Sequence, residues 1–208
     1  MSATEIKSAI TIRHARHAEI PAIRAMQEYS LLVLGSASYA PDVIAAFLTE
    51  IGTMDDTVVQ EGHYFVAVNA DGAILASGGW SRKTPGYDRA AISGVTDGNG
   101  ADAATVRSVF VAPAASRRGI ATAIMERIEQ DAAAHGIGVL TMMATLSGLS
   151  FYARLGYQAE GEKTVVLPGG LRFECITMSK TLARDALCAA SHRSGAANDA
   201  NCNRRKSA

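Results

Sequence analysis

The sequence predicts an α/β fold of the α+β kind, with a mixed, largely antiparallel sheet of seven strands and one parallel strand–helix–strand unit. Seven short segments have the alternation or the composition of strands. Tight-turn sequences join several of these segments, which indicates hairpins and antiparallel pairing. One pair of strands is separated by a helical stretch long enough for a parallel crossover.

The chain begins with a strand and two helices. Residues 10–13 (ITIR) alternate between apolar and polar side chains as a half-buried strand does. A helix is predicted from about His17 to Leu32, where apolar residues recur on one face. A second helix begins near Pro41, because proline suits the first turn of a helix.

A hairpin and a long loop follow. Tyr64–Val68 and Ile74–Trp80 are predicted strands, and the turn Asn69–Gly72 between them is typical of a hairpin. The polar, glycine-rich stretch from about Pro85 to Asp102 is predicted to be a loop. Loops of that length in compact domains are usually functional or mobile.

The parallel unit occupies the middle of the chain. It consists of a strand at Thr105–Val111, a helix at about Gly119–Ala134 and a strand at Val139–Ala144. The helix is expected to stop at His135-Gly136, since glycine commonly follows a helix end. A short helix at Leu149–Leu155 comes next.

The last two strands are predicted at about Lys163–Leu167 and Arg172–Met178, joined by the turn Pro168–Gly170. We expect one domain over residues 9–182. Residues 183–208 are rich in Ala, Ser, Asn and Arg and are expected to be a disordered tail.

The composition favours a globular protein of moderate size. Of 208 residues, 48% are hydrophobic, and 20 Lys and Arg balance 20 Asp and Glu, so the chain has no basic excess of the kind nucleic-acid binders carry. No apolar run is long enough to cross a bilayer, and the N-terminus lacks the apolar core of a signal peptide. Cys175, Cys188 and Cys202 are widely spaced and odd in number. They predict reduced thiols in a cytoplasmic protein, without a disulfide framework or a metal site.

The segment SRRGIA, residues 116–121, begins the helix of the parallel unit. Glycine lowers helix propensity, and two arginines at a helix N-terminus oppose its macrodipole. Both features make sense if the helix end binds an anion, because its first backbone N–H groups are free. Neither GxxxxGK[ST] nor GxGxxG is present, so a triphosphate-hydrolysing P-loop and a Rossmann dinucleotide site are disfavoured. A turn with solvated arginines is the alternative.

A second segment ends at the same edge of the predicted sheet. TMMATLSGLSFYARLGY, residues 141–157, runs from a strand end into a short helix that carries Tyr152. The carboxyl ends of adjacent parallel strands open on one edge, where ligands commonly bind. Tyr152 is therefore expected beside a cleft that begins at the SRRGIA loop, unless it only packs on the short helix.

These two segments together resemble the GCN5-related N-acetyltransferase (GNAT) family. The acetyl-CoA loop of that family has the form (Q/R)xxGx(G/A), placed after a proline that ends a strand; here Pro113 to Gly119 keep the spacing and Ala121 fills the last position. Residues 151–157 (FYARLGY) match an FYxxxGF-like segment. Ser116 departs from the usual Gln or Arg, and Thr145 stands where the family often has Asn. The element order fits the GNAT sheet along about residues 9 to 180.

The resemblance implies that the chain is an N-acetyltransferase with acetyl-CoA as cosubstrate and no metal. The strand backbone at Phe110 and Val111 would pair with the pantetheine arm, Thr145 would hydrogen-bond it, and an N–H near Val111 would stabilise the oxyanion. Tyr152 would protonate the departing thiolate, since a phenol is protonated at neutral pH. The cofactor-binding set is Phe110, Val111, Arg117, Arg118, Gly119, Ile120, Ala121, Thr122, Thr145 and Tyr152.

The acceptor side is less well defined by the sequence. Many family members carry a carboxylate on the fourth strand, whereas this chain offers Arg107 and Ser108 there. The other candidates for a base or a pocket wall have core or surface roles as their alternatives. They are His63, Asp88 and Glu61 for the base, and Tyr29, Tyr39, Trp80 and Arg82 for the wall.

Two functional classes remain open from the sequence. An enzyme would acetylate a primary amine of a small molecule or peptide by direct attack, with no nucleic-acid or membrane partner. The missing obvious base motivates the alternative of a non-catalytic module that binds acyl-CoA as a sensor. Dimers are frequent in the family, so the resemblance also raises a homodimer as an expectation. His14 and His17 have the spacing of a metal pair, but they straddle a strand end, which disfavours a metal site.

Overall fold

A computed structural model of the chain describes residues 10–83 and 102–182. The seven strands are β1 (Thr11–His14), β2 (Tyr64–Val68), β3 (Ile74–Ser81), β4 (Ala103–Val111), β5 (Val139–Thr145), β6 (Gln158–Val166) and β7 (Arg172–Thr181). The α-helices of these parts are α1 (Ile20–Leu34), α2 (Pro41–Glu50), α3 (Thr57–Gln60), α4 (Ile120–Ala134) and α5 (Leu149–Arg154).

All seven strands form one sheet in the order β1-β2-β3-β4-β5-β7-β6. Every neighbouring pair is antiparallel except β4 and β5, which are parallel and connected through α4. The predicted fold class, a mixed and largely antiparallel sheet with one parallel unit, is therefore confirmed.

Helices cover both faces of the sheet. On one face α4 buries Ile124, Met125 and Ile128 against β2 to β5, in a cluster that also contains Trp80 and Leu140. The opposite face is covered by α1, α2 and α3. There α1 and α3 pack against β2, and α2 packs against the beginning of β7. The β4–β5 junction therefore lies in the middle of the sheet, between two apolar layers.

The element boundaries differ from the sequence-based predictions at several places, among them α1, α3 and β6. Residues His17–Glu19 form a 3₁₀ turn, and α1 begins only at Ile20. The four-residue helix α3 was not predicted, because it is shorter than the window in which helical periodicity is visible. Strand β6 begins at Gln158, five residues before the predicted start. Its first residues are exposed on both faces of an edge strand, so they show no alternation.

Some predictions fall outside the described residues. They concern nearly all of the loop from Pro85 to Asp102, the candidate base Asp88, the tail from residue 183 and the thiols of Cys188 and Cys202. Cys175 is a buried free thiol on β7. Of the helices in the described ranges, none combines the length and apolarity needed to cross a membrane.

A β-bulge interrupts β4 at Ser108. Ser77 of β3 pairs with Phe110, and Gly79 pairs with Arg107, so Ser108 and Val109 lie opposite a single residue. Ser108 has a φ of 50°, which is uncommon for a residue other than glycine. Buried polar groups hold this conformation, because the hydroxyl of Tyr64 donates a 2.8 Å hydrogen bond to the Ser108 carbonyl oxygen. Gln27 in turn donates to the Tyr64 hydroxyl at 2.7 Å.

Gly79 allows the close approach of β2 and β3 beside this bulge. A Cβ at this position would overlap the carbonyl oxygen of His63 and would lie 2.8 Å from the Cα of Tyr64. Both atoms belong to the backbone, which cannot yield without breaking the strand pairing. Gly79 therefore fixes the strand spacing next to Arg107.

We predict that Gly79→Ala lowers the free energy of unfolding by about 2 kcal/mol or more, since overpacking a buried site costs roughly 1–3 kcal/mol. Gly161→Ala on β6 is the matched control, because a Cβ there would meet no atom within 4 Å. Guanidinium unfolding of both variants measures the difference. Equal stability of the two would contradict the assigned role of Gly79.

Candidate active site

The parallel strands β4 and β5 part soon after they begin. They pair only from Ala103 to Thr105 and from Val139 to Thr141, although β4 continues to Val111 and β5 to Thr145. A cleft of about 1050 Å³ opens beyond the last pair. Its walls come from both strands, the loop before α4, the start of α5 and the ends of α1 and α2.

The backbone of β4 offers a hydrogen-bonding edge to this cleft. The N–H of Ala112 donates to the carbonyl oxygen of Leu75 in the neighbouring strand segment, at 2.8 Å. Consecutive N–H groups of an extended chain point to opposite edges, so the N–H of Val111 faces away from β3 and toward the cleft. An extended ligand could therefore pair with β4 where β5 no longer does.

The loop before α4 presents a row of unused backbone donors. A 3₁₀ turn at Pro113–Ala115 leads into Arg117, with a φ of 58°, and Gly119, with a φ of 78°. None of the six amides from Arg117 to Thr122 donates a hydrogen bond to any residue in the described ranges. Together with the positive end of α4, these donors have an arrangement that suits a phosphate or pyrophosphate group.

Tyr152 lies on the other side of the cleft, on α5. Its side chain is buried, and burial raises the pKa of the phenol, so the hydroxyl stays protonated well above neutral pH. The hydroxyl makes no hydrogen bond within the described ranges and is free to donate to a ligand. Gly148 allows this placement, because a Cβ there would lie 2.9 Å from Cε2 of the tyrosine ring.

Nearly all of the cofactor-binding residues predicted from the sequence line this one cleft. They are Phe110, Val111, Arg117, Gly119, Ile120, Ala121, Thr122, Thr145 and Tyr152. Arg118 is the exception: it is exposed and does not line the cleft. The hydroxyl of Thr145 lies 3.1 Å from that of Ser147. Ser116, which replaces the usual Gln or Arg, also lines the cleft.

The cleft continues past the bulge toward α1 and α2. This part is lined by apolar residues such as Leu31 and Phe47, and by the polar residues Thr53, Asp55 and Arg107. The hydroxyl of Ser108 donates a 2.7 Å hydrogen bond to the carbonyl oxygen of Thr53, which ties the segment after α2 to β4. Hydrogen bonds from Thr57 lower the pKa of Asp55, so this carboxyl is ionised at neutral pH.

None of the four predicted wall residues lines the cleft. Tyr39 is buried, where its hydroxyl donates to the carbonyl oxygen of Glu174 at 2.7 Å and accepts from the N–H of Leu146 at 2.8 Å. Trp80 is buried beneath α4, and Tyr29 is 59% exposed on α1. Arg82 donates to the carbonyl oxygen of His135. For Tyr39 and Trp80, core packing was the correct alternative.

The candidate bases His63 and Glu61 are also outside the cleft. Nδ1 of His63 lies 2.9 Å from Oδ2 of Asp131, and the imidazole stacks on the indole of Trp80 with 4.0 Å between ring centroids. This cluster is on the α4 face of the sheet. Glu61 forms an ion pair of 2.9 Å with Lys83.

Sequence reasoning missed several residues of the acceptor part, which is the part of the cleft that lies past the bulge. Thr53 and Asp55 lie in a connecting segment with no motif, and Cys175 is one residue of an ordinary strand. Only the chain path, which brings the end of α2 against β4, places them together. Arg107 did carry a signal, because an arginine in an otherwise apolar strand is unusual.

Comparisons with known proteins agree with this geometry. Residues 60–159, from before β2 to the start of β6, match the family model for an acetyltransferase (GNAT) domain. This GNAT-like region makes up just under half of the chain. No curated protein sequence matches it significantly.

Solved structures of GNAT proteins share the fold at low sequence identity. A GCN5-related N-acetyltransferase from Rhodopseudomonas palustris superposes with a TM-score of 0.61 at 20% identity, covering 84% of this chain and 97% of that one. The PaiA N-acetyltransferase from Thermoplasma acidophilum, solved with coenzyme A, superposes with a TM-score of 0.60 at 14% identity, covering 83% of this chain and 99% of that one. A phosphinothricin acetyltransferase from Sinorhizobium meliloti, solved with acetyl-CoA, superposes with a TM-score of 0.56 at 18% identity, covering 84% of this chain and 89% of that one.

Gly119 allows a direct test of the anion site. Gly119 and Gly136 bracket α4 with φ values of 78° and 79°, and a Cβ at either would meet no atom within 4 Å. Alanine at each position should therefore cost a similar 1–2 kcal/mol of backbone strain. We predict that Gly119→Ala weakens coenzyme A binding at least tenfold, because its Cβ projects where a phosphate would approach the amides.

Isothermal titration with coenzyme A measures both affinities. Gly136→Ala is the matched control and should bind within about twofold of the wild type. Equal affinity of the two variants would show that the loop before α4 does not hold the phosphates.

Proposed function

We propose that the protein is an acetyl-CoA-dependent N-acetyltransferase that transfers the acetyl group to a primary amine of a small molecule or peptide. The observation that carries the proposal is the shared cleft, with the free amides of Arg117 and residues 119–122 at one end, the open edge of β4 along its floor and the buried phenol of Tyr152 on its wall. These groups match the three chemical parts of the cosubstrate: pyrophosphate, pantetheine amides and thioester.

Acetyl-CoA would supply an activated acetyl thioester. The amides of residues 117–122 would bind its pyrophosphate, with Arg117 adding positive charge. The edge of β4 would pair with the pantetheine amides. The N–H of Val111 would donate to the thioester oxygen and stabilise the charge that develops there, an effect worth roughly 3–4 kcal/mol per donor in comparable sites.

Tyr152 would act as the general acid. Its pKa is raised by burial, so the phenol holds its proton at any pH at which the leaving thiolate needs one. A thiol has a reference pKa of about 8.5, below the roughly 10 of a phenol, so transfer to a free thiolate would be uphill. The Tyr152 hydroxyl would therefore hydrogen-bond the sulfur and give up its proton only as the C–S bond breaks and negative charge develops there.

Direct attack by the amine is favoured over an acyl-enzyme route. Cys175 is the thiol that lines the described cleft, and burial raises its pKa to about 12. A thiol protonated at neutral pH is a poor nucleophile.

The acceptor amine must itself lose a proton before attack. Of the groups lining the cleft, the carboxylates Glu50 and Asp55 lie on the acceptor side, where they would attract an ammonium ion and orient water toward it.

We predict that Tyr152→Phe lowers kcat for thiol release by 10²- to 10⁴-fold, since general acids contribute about that much. Coenzyme A affinity should change little. Tyr157→Phe is the matched control: its ring centroid lies 6.1 Å from that of Tyr152, but it does not line the cleft. Steady-state kinetics with acetyl-CoA and a panel of primary amines measures both.

The pH profile provides an independent test. Because the raised pKa keeps Tyr152 protonated, kcat should not fall with rising pH up to about pH 10.

A loss of kcat below tenfold in Tyr152→Phe would show that Tyr152 is not the general acid. Tight acetyl-CoA binding with no turnover of any amine would instead support a non-catalytic acyl-CoA-binding module.

A further inference from the structure

Arg107 is a buried cation that lines the acceptor part of the cleft. Its side chain is on the α1 face of β4, and the residue is 5% exposed. One of its five N–H donors makes a long hydrogen bond of 3.3 Å, from Nη1 to the carbonyl oxygen of Lys83. Within the described ranges it has no carboxylate partner within 4.0 Å.

Burial without an ion pair distinguishes Arg107 from the other arginines of the described ranges. Arg13, Arg24 and Arg127 are less buried than Arg107, yet each forms an ion pair with a carboxylate. A buried charge without a partner is strongly unfavourable, and proteins normally neutralise or pair such groups. Guanidinium groups do not deprotonate in proteins, so Arg107 remains charged. A cation kept in this condition inside a binding cleft is arranged to receive an anion from a ligand.

Thr53 provides a second, independent sign of a ligand. Its hydroxyl oxygen is buried and has no hydrogen-bond partner among the residues that the structure describes, although the residue lines the same cleft. The hydrogen bond from Ser108 to the carbonyl oxygen of Thr53 holds the two segments together, next to Arg107 in the chain. Buried hydroxyl groups in proteins are nearly always paired. Among the described residues, the Arg107 guanidinium has one long hydrogen bond and the Thr53 hydroxyl has none, and both residues line the same cleft.

The surrounding charges narrow the chemistry of this anion. Among the described residues, the carboxylates that line the acceptor part are Glu50 and Asp55, both exposed. The charge of Arg107 contributes to the lowered pKa of Asp55. These carboxylates would repel a dianion such as phosphate but attract an ammonium group. A single carboxylate suits the bidentate geometry of one guanidinium. The cleft is thus complementary to a molecule that carries both an amine and a carboxylate.

We propose that the acceptor of this enzyme is an amino acid or a related amine with a carboxylate, which Arg107 binds with help from the Thr53 hydroxyl. This specificity rests on the proposed acetyltransferase function. Arg107 binds the carboxylate and so positions the amine; the acetyl transfer itself is carried out by the groups described above.

The test compares each candidate acceptor as the free acid and as its carboxamide. The panel contains the α-amino acids, β-alanine and γ-aminobutyrate. Spermidine, which has no carboxylate, is the cationic comparison. The wild type should use at least one free acid with a kcat/KM at least 100-fold above its amide. Arg107→Gln should lose about 100-fold or more on that acid and less than about threefold on the amide. Arg107→Lys should recover part of the loss.

Arg172→Gln is the control, since Arg172 is exposed on β7 and outside the cleft. This variant should leave kcat/KM unchanged for both the acid and its amide. Circular dichroism and thermal unfolding establish that each variant folds. Thr53→Val is a second test variant, and its kcat/KM should fall about tenfold on the acid and not on the amide. Preference for amides or spermidine, or equal losses on acid and amide in Arg107→Gln, would overturn the proposal.

Equilibrium binding separates this inference from the acetyltransferase proposal. The wild-type complex with coenzyme A is titrated with the same acids and amides, which requires no turnover. Acid-selective binding that Arg107→Gln abolishes supports the Arg107 site even if no amine is acetylated. Absence of acid-selective binding in a protein that does acetylate amines rejects the Arg107 site and leaves the enzyme function intact.

Discussion

The separation of β4 from β5 after three paired residues is the constraint on which the site depends. If the two strands paired to their ends, the backbone edge of β4 would be used and no cleft would exist. The bulge at Ser108 turns β4 at this point, and the buried hydrogen bonds of Tyr64 and Gln27 hold its carbonyl oxygen. The same polar groups therefore support both the open edge of β4 and the positions of Arg107 and Ser108 on the acceptor side.

Most of the fold, and the grouping of the proposed cosubstrate-binding residues around one cleft, could be predicted from the sequence because the signals are local. The turn Asn69–Gly72 specifies a hairpin, and the apolar period after Gly119 specifies the crossover helix. The proposed anion site is local as well, since its donors are backbone amides of one short segment whose position at a helix start follows from the sequence. Tyr152 required one additional step, that the ends of adjacent parallel strands share an edge.

The acceptor side could not be predicted because it is built from segments far apart in the chain. An aromatic residue gives the same pattern whether it faces a pocket or a core, and the burial of Tyr39 and Trp80 is decided by which helix covers which face. His63 looked like a base only until its partner Asp131, 68 residues away, was placed beside it. Conversely, nothing in the sequence near Thr53 or Asp55 marks a site. Their role depends on α2 ending against the bulge of β4.

Amide hydrogen exchange with and without coenzyme A tests the central claim most directly. The amides from Arg117 to Thr122 have no described partner in the free protein and should exchange quickly. Saturating coenzyme A should slow their exchange at least tenfold, along with that of Val111, while Gly136 at the far end of α4 stays unchanged. Binding of coenzyme A without protection of these amides would contradict the account of the cleft.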